Sequence, residues 1–314
     1  MEQDYRTTLE PRFLAIAREE LHEDETTREP ALRQMREFIN KHPQIKYCRT
    51  DALFLLRFLR YRKFNVVAAC EMLEKWLTAG SLTASFFRFA DPRDLDYMID
   101  ECMIIPVERD RQDRLIVIVR FGAFDPSKII PEDQTRLGTL TMETFHDEEM
   151  YQITGIVALL DFSGATMAHF AIWTIPKLQV LIGAVNDLMT FRIREIHVVQ
   201  LPKYASVLME FCMAALSPKL QKRLKFHKSI DDLKAAIDES VLPDIYGGKQ
   251  SLEEANERFR QKVLEQRERI LKHAEMTIDL SIPNPNSKNP ANAALQSSVV
   301  DESVIGSFRK LNVD

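Results

Sequence analysis

Residue types able to do chemistry stand in a few stretches of this chain, and each can be weighed against what its chemistry needs. The apolar run Gly155-Ile156-Val157-Ala158-Leu159-Leu160 ends in Asp161-Phe162-Ser163-Gly164. A serine after a strand and before a glycine is half of a nucleophile elbow, but the earlier glycine of GxSxG is absent. Ser163 is therefore read as a turn or capping serine. Asp161 has no matching base or cofactor loop, so a catalytic role is not expected of it. His146-Asp147-Glu148-Glu149 could supply metal ligands but reads better as a solvated acidic helix face. His197, inside the β-branched run Ile196-His197-Val198-Val199, reads as a core or rim histidine rather than a general base. P-loop, GxGxxG and HExxH patterns are all missing. No enzyme activity, cofactor or metal is expected.

Two non-covalent signals remain. The segment Met167 to Phe191 carries more apolar side chains than one helix face can bury, and Val207 to Leu216 repeats the pattern. Either two layers pack there or some side chains line a cavity, and composition does not separate the two. The second signal is charge. Eight cations (Arg192, Arg194, Lys203, Lys219, Lys222, Arg223, Lys225 and Lys228) stand against Glu195 and Glu210 between 192 and 228. That stretch is net +6 in a chain whose total is −5. Basic residues beside apolar helices suit an anionic membrane surface or a phosphorylated headgroup, where each nearby cation contributes about 1 kcal/mol. A solvated helix face is the plainer alternative. The aromatic interleaving of a nucleic-acid platform is missing, so no nucleic acid is expected.

These stretches need a scaffold, and the rest of the chain supplies one. At 314 residues, with 45% apolar and 28% charged residues, the composition is that of a globular protein with a sizeable core. Residues 1–90 read as an all-helical unit. Pro11 starts one helix, Pro30 sits in the first turn of the next, Asp51 caps Ala52 to Arg60, and Asn65 caps Val66 to Ala79. Residues 91–250 read as an α/β unit. Met103 to Pro106 and Leu115 to Phe121 form an antiparallel hairpin, a helix runs from Pro131 to about Tyr151, and Gly155 to Asp161 is a strand buried on both faces. A helix over 166–190, the strand Ile196 to Val199, helices over 208–215 and 217–226, and a short one from Asp231 follow. Residues 251–280 are a charged C-terminal helix, and 281–314 a loose tail whose end regains apolar character. The fold class expected is α/β, a mixed sheet flanked by helices behind a helical N-terminal domain. Four scattered cysteines, no apolar leader and no run of the ~18–20 apolar residues a span requires point to a cytosolic chain with reversible membrane contact.

Leu55-Leu56-Arg57-Phe58-Leu59-Arg60-Tyr61-Arg62-Lys63-Phe64, the strand ending Asp161-Phe162-Ser163-Gly164, Ile193 to Pro202, and Leu242-Pro243-Asp244-Ile245-Tyr246-Gly247-Gly248 together resemble the signatures of the CRAL-TRIO family. The resemblance covers about 10–275 and leans toward the tocopherol-transfer-protein, retinaldehyde-binding and clavesin branch. The closing Gly306 to Leu311 is similar to tails of arthropod members. It implies a cytosolic carrier of a retinoid, carotenoid, tocopherol or similar lipid, with a mobile gate helix matching about 201–223. It also implies a phosphoinositide site at Arg192, Arg194, Lys219 and Arg223, with Arg57 or Arg60 nearby. Gln200 stands where the family has asparagine, and Asp244 where it has glutamate.

On this reading a pocket over the sheet is lined by Leu140 and Phe145, by Ile156, Ala158 and Leu160, and by Phe170, Leu181, Val185 and Phe191. Ile193, Ile196 and Val198 of the next strand, and Leu208, Phe211 and Leu216 of the gate, complete it. The expected partners are the lipophile and an anionic phosphoinositide membrane, with the chain a monomer. The rival is a phosphoinositide-sensing adaptor in membrane trafficking that carries no cargo.

Overall fold

The computed structural model describes residues 5–82, 84–87 and 91–284. The tail after 284, with its apolar end, lies outside the described residues.

The N-terminal helices are α1 (Pro11–Leu21), α2 (Glu25–Lys41), α3 (Ala52–Tyr61), α4 (Val66–Leu82) and α5 (Ala84–Phe87), with a short strand β1 (Ile45–Tyr47) between α2 and α3. α2 begins five residues before Pro30, contrary to expectation. Asp24 accepts hydrogen bonds from Thr26 and Thr27, and Thr27 answers in a capping box, so the start is fixed upstream and Pro30 lies inside the helix. Asp51 caps α3 as its position predicts, accepting from the Phe54 amide at 3.1 Å. Leu32, Met35, Leu55, Phe58 and Leu73 close one core in this layer.

After α6 (Asp96–Asp100) comes the hairpin β2 (Ile104–Arg109) and β3 (Leu115–Arg120), then α7 (Pro131–His146), α8 (Glu149–Thr154) and β4 (Ile156–Asp161). Helices α9 (Met167–Ala171) and α10 (Ile175–Asp187) lead to β5 (Ile193–Val199). Then follow α11 (Ser206–Ala215), α12 (Pro218–Gln221), β6 (Leu224–His227), α13 (Ile230–Lys234), α14 (Leu252–Glu265), α15 (Arg267–His273) and β7 (Thr277–Ile278). The five-stranded sheet has the order β2-β3-β4-β5-β6, antiparallel at the hairpin and parallel elsewhere. β7 returns to pair antiparallel with β1, tying the end of the α/β unit to the helical layer.

Four helical expectations are corrected. The segment 166–190 is two helices, because Pro176 fits the first turn of a new helix. Residues 217–226 are a short helix and then an edge strand, since Leu224 to His227 find β5 as a partner. The helices predicted over 131–151 and 251–274 are each broken once, at Asp147 and Gln266.

Strand side chains alternate between faces. Ile105, Ile116, Ile118, Val157, Leu159 and Val199 pack on one face against Leu233, Leu242, Tyr246 and Leu252. The closing Tyr246-Gly247-Gly248 pins this face, because the Tyr246 hydroxyl donates to Asp161 Oδ2 at 2.6 Å. Asp161 Oδ1 accepts from the Ser163 amide (2.8 Å) and hydroxyl (2.5 Å). Asp161 and Ser163 are thus a structural knot. Gly248 is dictated by space, as a Cβ there would sit 1.6 Å from the Leu242 carbonyl oxygen.

Candidate functional site

The other face of the sheet borders a cavity. Val117, Ala158, Ile196 and Leu224 form one row across four strands and all four line it. Ala158 and Leu160 are only half-buried although β4 is the central strand, which marks unfilled space above them. Ile193 and Ile196 both face the cavity although they are three positions apart. Strict alternation forbids that. The register slips between Ile156 and Val157, pairing them with Ile193 and Glu195, so Arg194 is an extra residue that restores the facing of Ile196.

The cavity has a volume of about 460 Å³ and an almost wholly apolar wall. Phe170, Leu181 and Val185 come from α9 and α10, and Leu208, Met209, Cys212 and Met213 from α11 with Leu216 just beyond it. The surplus of apolar residues in the sequence thus faces a cavity; α11 has no buried residue at all. Trp76, Ala79, Gly80 and Phe87 of the helical layer close another side, a contribution that nothing local in the sequence signals. Of the pocket residues named above, Ile156, Ala158, Leu160, Phe170, Leu181, Val185, Ile193, Ile196, Leu208 and Leu216 border the cavity.

Leu140, Phe145, Phe191, Val198 and Phe211 do not border it. The reason on α7 is the helical period. Gln134, Thr135, Gly138, Thr139, Met142, Glu143 and His146 form its cavity face, so Leu140 and Phe145 turn into the core, Phe145 toward Phe259. Phe191 is buried, stacked on His146 at 3.9 Å. Val198 is fully packed in the core, and Phe211 sits half-buried on α11.

The polar wall at Glu143 and His146 is anchored by an ion network that corrects two expectations at once. Arg57 and Arg60 are fully buried and cannot reach a headgroup. Arg57 donates to both Glu143 oxygens at 2.8 Å and to Asp147 at 3.0 Å. Arg60 donates to Glu23 at 2.8 Å, Glu149 at 2.9 Å and Gln152 at 2.9 Å. The acidic run 146–149 is therefore no solvated face. It neutralises the arginines of α3 across the junction of the two layers. Burial alone would raise the Glu143 pKa, but Arg57 above all holds it well below the carboxylate range. Thr190 meets His146 Nε2 at 2.5 Å. His197 sits on the opposite face of the sheet, 2.9 Å from His227 and 3.0 Å from Glu195.

The other four cations converge. Arg192 donates to the Ile153 carbonyl at 2.7 Å and Arg194 to the Thr154 carbonyl at 2.8 Å, capping the C-terminal end of α8. Gly155 makes this possible: its φ is +87°, and a Cβ there would lie 2.1 Å from the Arg192 carbonyl oxygen. Arg223 donates to the Ile193 carbonyl. Lys219 lies over the Tyr61 ring at 5.8 Å. The Lys219 pKa is lowered by partial burial and then by repulsion from Arg223, Arg192, Lys63 and Arg194. Arg192 and Arg223 are lowered likewise, burial first. Lys63, in the loop after α3, joins the cluster with φ at +50°. Its spacing from the other four, more than a hundred residues away, hides it in the sequence. Among the described residues the carboxylate paired with this cluster is Glu20 of α1, 2.5 Å from Arg192 and 3.1 Å from Arg194.

Sheet, roofed apolar cavity and cationic cluster thus lie together in one α/β unit. Residues 100–248 match the CRAL/TRIO domain. Over 244 residues the chain is 28% identical to clavesin-1 of Xenopus laevis, covering 76% of this chain and 74% of that one. Clavesin-2 of Homo sapiens is 28% identical with coverage of 76% and 75%. The crystal structure of Sfh5 superimposes with a TM-score of 0.48 at 10% identity, over 78% of this chain and 99% of that one. The chain thus contains a CRAL/TRIO domain over residues 100–248 and is similar to the clavesins.

Proposed function

We propose that this protein carries one neutral lipophile in the cavity and exchanges it at membranes whose phosphorylated headgroups meet Arg192, Arg194, Lys219 and Arg223. The observation that carries this reading is the apolar cavity of about 460 Å³. It falls in the lower part of the roughly 300–1,000 Å³ that small-molecule sites span. That size suits a single retinoid, carotenoid, tocopherol or like molecule, whose burial contributes about 25 cal/mol per Å². No covalent step is required. Helix α11 serves as the gate, since Leu208 and Met209 line the cavity while Val207, 76% exposed, faces outward for a bilayer. The protein acts as a monomer in the cytoplasm and visits membranes reversibly. Among the described residues no helix is long and apolar enough to cross one. A formed cavity weighs against a headgroup sensor without cargo.

The test is co-sedimentation with phosphatidylcholine vesicles doped with phosphatidylinositol bisphosphate. Arg192→Ala combined with Arg223→Ala removes two cations worth about 1 kcal/mol each, a roughly thirty-fold loss of binding. Undiminished binding by the double variant would refute the headgroup assignment.

A further inference from the structure

The cationic rim contains its own anion. Glu20 projects from the last turn of α1 with its side chain 44% exposed, and its carboxylate bridges Arg192 and Arg194. The remaining bonds of those two guanidiniums, and the one from Arg223, go to neutral backbone carbonyls. Among the described residues no carboxylate lies within ion-pair distance of Lys219, Arg223 or Lys63. One carboxylate therefore stands against five cations, at the place where an incoming anion gains most. Burial works to raise the Glu20 pKa, yet the two arginines hold it low, so the carboxylate stays ionised.

We propose that Glu20 is an internal counter-anion that an incoming phosphate ester must displace, and that it thereby sets how strongly charged a headgroup must be to dock. A single carboxylate bound at two guanidiniums is outcompeted by a multiply charged phosphomonoester, which reaches Lys219 and Arg223 as well. It holds its own against singly charged anions. Displacement also loosens α1 from the start of β5, leaving α1 held by the packing of Phe13, Ala17 and Leu21 on Ile153 and by the Arg12–Asp113 ion pair. This inference rests on the function proposed above, and its test separates the two.

Full-length wild type, Glu20→Gln and the control Glu19→Gln are titrated with inositol trisphosphate. They are also titrated with phosphatidylcholine vesicles doped with phosphatidylinositol bisphosphate, and with vesicles doped only with phosphatidylserine. Glu19 is exposed on the same helix, so the control changes net charge equally. Losing a partly exposed ion pair's competition is expected to tighten inositol trisphosphate by roughly fivefold for Glu20→Gln and not for Glu19→Gln. Phosphatidylserine vesicles, held weakly by wild type, should then bind measurably. Tightening on vesicles alone assigns the site to membrane headgroups; tightening on both assigns it to the phosphate ester in either form. Glu20→Gln should also melt below wild type without anions and regain the difference when inositol trisphosphate is added. Three results overturn the inference: Glu20→Gln matching wild type, weaker binding, or equal tightening in Glu19→Gln. If wild type binds the doped vesicles through Arg192 and Arg223 while Glu20→Gln changes nothing, the proposed function stands and Glu20 is a structural ion pair. If neither protein binds any phosphate ester, both readings fall.

Discussion

Arg57 and His146 show what single residues conceal. Each is charged or chargeable, and neither sequence context signals a buried ion network. The arginine belongs to a basic run near a helix end that suggests headgroup contact, and the histidine opens an acidic run that reads as a solvated face. They belong to one buried network, because burying either alone would leave an uncompensated polar group at a cost of several kcal/mol. Only the fold reveals the pairing, since 86 residues separate Arg57 from Glu143. The same network carries a pH prediction. His273 accepts a hydrogen bond from Arg49 at 2.6 Å, which requires an unprotonated nitrogen. Burial lowers its pKa from 6.5 to about 3, outweighing the attraction of Glu143, while Arg57, Arg49 and Arg269 add repulsion. His146 is lowered for the same primary reason. A histidine kept neutral by the fold binds its proton in the unfolded chain first. Its contribution is complete above pH 6.5 and declines as the pH falls toward 3. The loss from His273 should reach about 2 kcal/mol by pH 5, seen as a falling melting temperature between pH 7 and 5. His273→Gln should flatten that slope. A wild-type melting temperature constant over this range would contradict the account. Asp147, pulled to about 2 by Arg57, Arg269 and Arg49 against its burial, contributes above pH 4 and fails only below it. The two windows are therefore distinct.

Among the elements, the strands that bury both faces were the most legible. Ile156 to Asp161 has no polar residue before its end, and the hairpin β2–β3 announces itself by the turn cluster at 108–113. The bulge at Arg194 was not legible, because alternation signals a strand's faces but not the place where its count slips. Strand β6 was missed for a related reason. Leu-Lys-Phe-His is too short and too mixed to outweigh the helix start at Ser217-Pro218, and it becomes a strand only because β5 offers an edge. On α7 the periodicity was right and its meaning reversed: the apolar stripe is core, and the small and polar stripe faces the cavity. Helix α11 combines both roles. Val207→Asp places a charge on its outward side without touching the cavity wall. The proposed function expects roughly tenfold weaker binding to phosphatidylinositol bisphosphate vesicles, from about 1.4 kcal/mol of lost apolar insertion, with bound lipophile retained. Vesicle binding equal to wild type would show that the bilayer meets another surface.

At the scale of the whole molecule, two cores face one cavity. The helical layer supplies one wall through Trp76 and Phe87, the sheet supplies the floor, and α10 and α11 supply the roof. The β1–β7 pair and the arginine network lock the layers together. The fold class was legible because motif spacing and hydrophobic period point the same way. The wall from the helical layer was not, since it depends on how the layers dock. Nor can the sequence separate cavity lining from core, because both ask for the same apolar residues. The most direct test of carriage is native mass spectrometry of the full-length protein purified from eukaryotic cells, set beside its mass after denaturation. Carriage predicts one additional lipophile per chain, lost in Ala158→Trp, whose indole fills the centre of the floor, while the circular dichroism spectrum is preserved. A wild-type protein with the same mass in both states, and no uptake of added retinoid, carotenoid or tocopherol, would contradict it.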